Sequence, residues 1–229
     1  MITDPNIYLL IPAYNESAHI QELLTRVEQE IPLRQVLIVD DGSSDDTAEV
    51  ASVSGVAVQR HIQNYGKGKA LDTGLRYLVN KRDANAIITM DGDLQHDPGH
   101  LDAFVELYKS GDFDLIVGWR SRKITDMPIS RILTNSATSL LLSLRSGTHI
   151  RDSQCGFRLL SRRLVENIHS DITGFQAETE MVLKSVFQGY QVGFLPISTI
   201  YTGERSYIKP VRDVWDFLRI YGRSFFWNI

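Results

Sequence analysis

The sequence predicts an α/β protein, a mostly parallel sheet covered by helices on both faces. Two observations carry this. Apolar runs of strand length alternate with longer segments whose apolar residues recur at three- and four-residue spacing; that alternation builds βαβ units. Several of the short runs end abruptly in Asp, Gly or Pro, as buried strands do at a sheet edge. With 229 residues, 43% of them hydrophobic, the chain can bury a full core. It reads as a single domain over residues 1–229, in two halves (1–118 and 119–209) with a helical tail (210–229). No Gly/Pro/Ser-rich linker, internal repeat or low-complexity tract divides it.

Taken in order, Asn6 to Ile11 reads as a buried strand stopped by Pro12. A turn over Ala13 to Ser17 leads into a helix to about Ile31, with Ile20, Leu23, Leu24 and Val27 on one face and Asn15 or Ser17 as the expected cap. Val36 to Val39 is a second strand ending in Asp40-Asp41-Gly42-Ser43, and Asp45, Asp46 and Thr47 open the next helix. Val56 to Val58 is a third strand. Asn64 to Lys69 leads into a helix striped with Leu71, Gly74, Leu75 and Leu78. Ile87 to Met90 is the fourth strand, a helix from Pro98 to Lys109 follows, and Phe113 to Gly118 is the fifth strand. Then come a basic loop at Trp119 to Lys123 and a helix over Ile129 to Leu144. Ile129, Ile132, Leu133, Ala137, Leu140, Leu141 and Leu144 are expected inward on that helix. A strand at Cys155 to Leu160, a helix from Phe175 to Gln188, a strand from Gln191 to Ile197 and a last helix from Pro210 complete the chain.

Composition removes some functional classes. The 24 basic and 28 acidic residues give a net charge of −4, so nothing attracts nucleic acid globally. The single cysteine, Cys155, has no internal disulfide partner, which fits a reducing compartment. Met1 to Pro5 does not open a secretory signal. No apolar run reaches the ~20 residues that span a bilayer, so membrane contact would be peripheral. No G-x-G-x-x-G follows the first strand, and Gly66 to Lys69 lacks P-loop spacing.

Three strand ends are polar: Pro12 to Glu16, Asp40-Asp41, and Asp91 to Gln95. In a parallel sheet these meet at the carboxyl edge, where ligands bind. Asp91 and Asp93, two apart on an extended backbone, face the same way, and Gly92 lets a ligand approach the main chain. Two such carboxylates repel each other unless a cation lies between them. A divalent ion sharing oxygen ligands with a phosphate is the simplest candidate; an acidic turn capping the helix at Pro98 is the plainer one.

Pro12-Ala13-Tyr14-Asn15-Glu16, Asp40-Asp41-Gly42-Ser43, Asn64-x-Gly66-Lys67-Gly68 and Asp91-Gly92-Asp93-Leu94-Gln95-His96 resemble the ordered signatures of family 2 glycosyltransferases with the GT-A fold. Asp152 to Arg158 and the segment from Phe175 to Tyr190 are similar to the dolichyl-phosphate mannose synthase and polyprenyl-phosphate glycosyltransferase branch. The resemblance runs from Ile7 to about Asp213 and implies a Rossmann-like sheet whose first half holds a nucleotide sugar and whose second half faces the acceptor. It implies Asp91, Asp93 and Gln95 as ligands of Mg²⁺ or Mn²⁺. Pro12, Tyr14, Glu16, Asp40 and Asp41 would hold the donor, with Lys67 and Gly92 completing the set. Tyr14 as a packing aromatic and Asp40 as a cap are the structural alternatives, and His96 reads as a further ligand or, more simply, a support behind the ligands. The Q-x-x-R-W of polysaccharide synthases is missing.

The acceptor implied is a polyprenyl phosphate, already anionic and in need of cations more than of a base. Arg suits phosphate through its paired donors. Arg120, Arg122, Arg131, Arg158, Arg205 and Lys209 lie in the relevant segments; Arg122 and Lys123 read as solvated surface. By family position Arg120, Arg131, Arg205 and Lys209 are the candidates, catalytic alongside Asp93. With a hydroxyl acceptor instead, Glu178 or Glu180 would serve as base; a nucleotide-sugar binder without turnover is the third reading. In the tail, Val211, Val214, Trp215, Leu218, Tyr221 and Phe225 are expected on one face and Arg212, Arg219 and Arg223 on another. Such a helix suits the cytoplasmic face of a membrane, a second copy of the chain or an anchoring partner.

Overall fold

The computed structural model describes residues 1–120, 129–168, 176–198, 200 and 210–227, the side chains of 129–135, 210–214 and 216 excepted. The chain runs β1 (Ile7–Ala13), α1 (Ile20–Val27), β2 (Val36–Asp40), α2 (Thr47–Val53), β3 (Ala57–Arg60), α3 (Lys67–Arg82), β4 (Ala86–Thr89), α4 (Leu101–Lys109) and β5 (Leu115–Arg120). It continues α5 (Ile129–Ser146), β6 (Arg158–Ser161), α6 (Arg162–Asn167), α7 (Ala177–Phe187), β7 (Val192–Ile197) and α8 (Pro210–Arg223). One seven-stranded sheet has the order β3-β2-β1-β4-β6-β5-β7. Every pairing is parallel except those of β6, which runs against both β4 and β5.

This topology places the site. From β1 the chain winds outward to β2 and β3, then returns to lay β4 on the other side of β1, so a switch point opens between β1 and β4. Because β6 is antiparallel, its first residue, Arg158, pairs with the last of β4, Thr89. The loop entering β6 therefore reaches the edge where the parallel strands end. The central strands are apolar throughout, as strands buried on both faces must be: Leu9, Leu10, Ile11, Leu37, Ile38, Ile88, Ile116 and Leu159 are all buried.

Pro12 does not stop β1, which runs on to Ala13 with Pro12 opposite Val39. The Leu10 carbonyl accepts from Met90 N at 3.1 Å and that of Ala13 from Asp41 N at 2.9 Å, so alternate residues face β4 and β2. Pro12 faces the β4 side beyond Thr89, where the ladder has already ended, and its missing N–H costs no bond. The cap of α1 also differs. The helix starts at Ile20 with no side-chain cap. Asn15 adopts φ +56° and its Oδ1 accepts from Ser44 N at 2.9 Å, while Ser17 N donates to Asp45 at 3.1 Å. These residues tie the loop after β1 to the loop after β2.

One helix is rotated from the expected phase. On α5, Leu140 and Leu144 are exposed, and Thr138, Ser139 and Leu142 turn inward. Three consecutive leucines leave the apolar stripe undefined, and the Ser139 hydroxyl fixes the rotation by donating to the Arg151 carbonyl at 3.1 Å. On α8, Phe217 and Ile220 are buried, while Trp215, at 70%, and Leu218, three residues on, are exposed, so the apolar face grouped from the sequence is an outer one. The short α6 was not anticipated; its sign was Ser161, whose hydroxyl accepts from Leu164 N.

Candidate active site

The loop after β2 is built around Asp41. Its buried carboxylate accepts from Tyr65 N at 3.0 Å and Gly66 N at 2.7 Å, and His61 Nδ1 lies 2.7 Å away. The other His61 nitrogen is 3.0 Å from the Thr73 hydroxyl of α3. Gly42, at φ +72°, lets the incoming segment cross: a Cβ there would sit 2.3 Å from the Gln63 backbone. Asp40 is fully buried, accepting from Ser43 N at 3.0 Å with Arg60 Nε 3.0 Å from its second oxygen. It is a turn acceptor, not a helix cap. Together these contacts aim the first turn of α3 across the sheet edge at β4.

That first turn carries Lys67. Its ammonium lies 2.6 Å from Asp91 Oδ1 and 3.1 Å from Glu178 Oε1, the latter in the first turn of α7. Burial opposes both charges, yet the pair outweighs it. The Asp91 carboxyl is held well below the usual range by Lys67 and His96, and the Lys67 ammonium is held above its ordinary value by Asp91 and Glu178. Asp93 behaves oppositely: burial, reinforced by the neighbouring Asp91 charge, raises its pKa. Its Oδ1 accepts from Gln95 N at 3.1 Å.

The walls of the cluster come from the loop entering β6. A Cβ on Gly156 would lie 2.6 Å from both Asp91 carboxylate oxygens, so any larger residue would push that carboxylate aside. Thr89 holds this loop by donating to the Gly156 carbonyl at 2.8 Å. His96 Nε2 is 3.7 Å from Asp91 Oδ2; its ring packs on Phe157, and its Nδ1 is buried with no hydrogen-bond partner among the described residues. Gly92 sits between Glu16 and the Pro12 carbonyl, which a Cβ would approach to 3.5 and 3.7 Å. Glu16 itself is 2.8 Å from His19 Nδ1, and Tyr14 is exposed at the rim.

Among the described residues no three His, Cys, Asp or Glu side chains converge as a cation cage. The donor set still fits a divalent ion that takes its remaining ligands from a substrate. Two carboxylates stand two residues apart, and an ammonium already rests on one of them as a stand-in cation. Arg120 is near the cluster's outer loop, its guanidinium paired with Asp152 at 3.0 Å. Arg158 is not a phosphate ligand: it is buried, donating to the carbonyls of Cys155, Glu178 and Ser153 at 2.6, 2.7 and 2.8 Å. The Arg131 side chain, Arg205 and Lys209 lie outside the described residues. Glu180 lies 3.1 Å from Lys184; two residues on from Glu178, it is about 200° round the helix.

Residues 8–169 match the family model for glycosyl transferase family 2. The chain belongs to that family. An uncharacterized protein of Methanocaldococcus jannaschii is 32% identical over 206 residues, covering 88% of this chain and 84% of its own. The UDP-N-acetylglucosamine–dolichyl-phosphate N-acetylglucosaminyltransferase of Methanococcus voltae is 27% identical over 223 residues, covering 88% of each. The glucosyl-3-phosphoglycerate synthase of Mycobacterium tuberculosis, solved with Mn²⁺, uridine diphosphate and phosphoglyceric acid, aligns with a TM-score of 0.73. The alignment has 18% identity and covers 97% of this chain and 78% of that one. The fold is GT-A. In this family 2 chain, the sequence named Asp91, Asp93 and Lys67 but not His61, Gly156 or the buried role of Arg158. A charged residue inside the apolar run Phe157-Arg158-Leu159-Leu160 was the available signal.

Cys155 is fully buried, and burial pushes its thiol up to about 12. It should resist iodoacetamide at pH 8 in the native protein and take up one equivalent after unfolding. Modification of the folded protein at the rate of a free thiol would contradict its placement.

Proposed function

We propose that the chain is an inverting glycosyltransferase moving a hexose from a nucleotide diphosphate sugar to a polyprenyl phosphate. The observation that carries this is the Asp91 cluster at the β1/β4 switch point, where carboxylates and an ammonium converge from three elements. Residues 1–118 hold the donor: Pro12, Tyr14, Glu16, Asp40 and Asp41 shape the nucleoside end, with Lys67 and Gly92 toward the diphosphate. Asp91, Asp93 and Gln95 would hold Mg²⁺ or Mn²⁺, which supplies Lewis-acid neutralisation of the leaving diphosphate. An acceptor phosphate oxygen forms the bond to the anomeric carbon while the bond to the diphosphate breaks, its electron pair leaving with the nucleotide. That nucleophile needs no deprotonation. Cations orient it, and Arg120, Arg131, Arg205 and Lys209 are the candidates.

Access from a membrane fits the outer surface of the tail. No described helix is long and apolar enough to cross a bilayer. Trp215, Leu218, Phe225 and Phe226 are exposed together with Arg219 and Arg223, a composition suited to peripheral contact at the cytoplasmic face.

Purified protein given labelled nucleotide sugars and a short-chain polyprenyl phosphate should yield a labelled lipid. EDTA should stop the reaction, and Mn²⁺ or Mg²⁺ should restore it. Glu178→Gln and Glu180→Gln should retain substantial transfer. A dead Glu178→Gln with labelled product only on a hydroxyl acceptor would replace the lipid-phosphate reading. Nucleotide binding with no transfer to any acceptor would leave a binding protein.

A further inference from the structure

Three elements meet at one ammonium. Lys67 comes from α3, Asp91 from the end of β4 and Glu178 from α7, and all three side chains are mostly or wholly shielded from solvent. Without the ammonium, Asp91 and Glu178 would face each other as largely shielded like charges, with Asp93 close behind. Asp91 has little room to escape. Its Oδ1 is claimed by Lys67 at 2.6 Å, its Oδ2 faces His96 at 3.7 Å, and Gly156 is packed against both oxygens. A divalent ion approaching Asp91 therefore meets a competitor already seated on the same carboxylate.

We propose that Lys67 is a resident counter-ion of the donor site, holding Asp91 and Glu178 together before the donor arrives and suppressing divalent-cation affinity until a diphosphate can receive the ammonium. This rests on the donor-site reading above. The partner for the released ammonium is argued from position: Lys67 opens a 16-residue helix whose N-terminal N–H groups and dipole favour a phosphate at the same spot. The consequence is an order of events. Cation and nucleotide bind together tightly, whereas the cation alone binds weakly, and the site never stands as an uncompensated cluster of carboxylates.

The test reads Mn²⁺ binding to nucleotide-free protein, by the paramagnetic resonance of free Mn²⁺ or by calorimetry. Lys67→Met should tighten Mn²⁺ binding by about tenfold or more, since one unit of positive charge leaves the contact sphere. Uridine or guanosine diphosphate, measured with Mn²⁺ present, should bind the same variant more weakly. Lys67→Arg should keep the weak Mn²⁺ binding of the parent chain. If Lys67→Met does not fold by circular dichroism, Lys67→Gln gives the same charge change with a polar end group. Unchanged or weaker Mn²⁺ binding in a folded neutral variant overturns the proposal. Failure of every variant to bind Mn²⁺ even with nucleotide would overturn the metal-dependent reading together with it.

Discussion

Asp93→Asn should abolish sugar transfer while leaving the protein as stable as before, or slightly more so. Burial and the Asp91 charge both disfavour the Asp93 carboxylate, so its ionised form costs folding free energy at neutral pH. Asn removes that cost and keeps an oxygen to accept from Gln95 N. The sign is checkable in EDTA. A group whose folded pKa is raised destabilises most above that value, so any gain in melting temperature should be present at pH 7. It should fade as the pH falls through the folded-state value toward the ordinary carboxylate range. Activity should move the other way. Neutralising the leaving diphosphate is worth several kcal/mol, and each ~1.4 kcal/mol is a factor of ten, so transfer should fall by roughly 10³-fold. Transfer within tenfold of the parent rate in excess EDTA would show that no metal is held there.

The strand ends were legible because burial on both faces makes parallel strands into unbroken apolar runs, and a run that stops in Asp-Gly or Asp-x-Asp announces a sheet edge. Thus Asp41, Asp91 and Asp93 could be named in advance. The hydrogen bonds that Asp41 makes could not be, since its partners His61, Tyr65 and Gly66 are long-range and unmarked by any period. Helix rotation was legible on α1, where Ile20, Leu23, Leu24 and Val27 are all buried. It was misread on α5, whose apolar residues wrap too far round for period alone to choose the buried side, and on α8 period grouped the apolar residues without saying which side is buried. There the choice falls to single contacts, such as Ser139 on Arg151 and Phe217 against the core. Glu178 and Glu180 looked equivalent in sequence; only the start of α7 separates the one on Lys67 from the one on Lys184.

Arg158→Met should cost more stability than any other single change near the site. The side chain is 1% exposed and its three donors reach carbonyls on two segments: Ser153 and Cys155 before β6, and Glu178 in α7. Met matches its length and restores apolar contact, and relief from burying a charge offsets part of the loss. Three carbonyls nevertheless lose a charged donor, a bond of ~1.5–3 kcal/mol each, the Ser153 carbonyl keeping the Thr179 hydroxyl at 3.4 Å, so a net loss of about 3–5 kcal/mol is expected. For a chain of this size that lowers the melting temperature by roughly 10 °C. The same three bonds tie the Gly156 wall to the turn that carries Glu178, so the Lys67–Asp91 geometry should loosen before the fold is lost. Transfer measured well below the melting temperature should then drop by about tenfold or more, as displacements of ~1 Å at a reacting centre do. Arg158→Lys, with one ammonium to serve three carbonyls, should fall between the two in both measurements. A Met variant that melts early yet transfers sugar at the parent rate would confine Arg158 to stability and separate the loop entering β6 from the chemistry at Asp91.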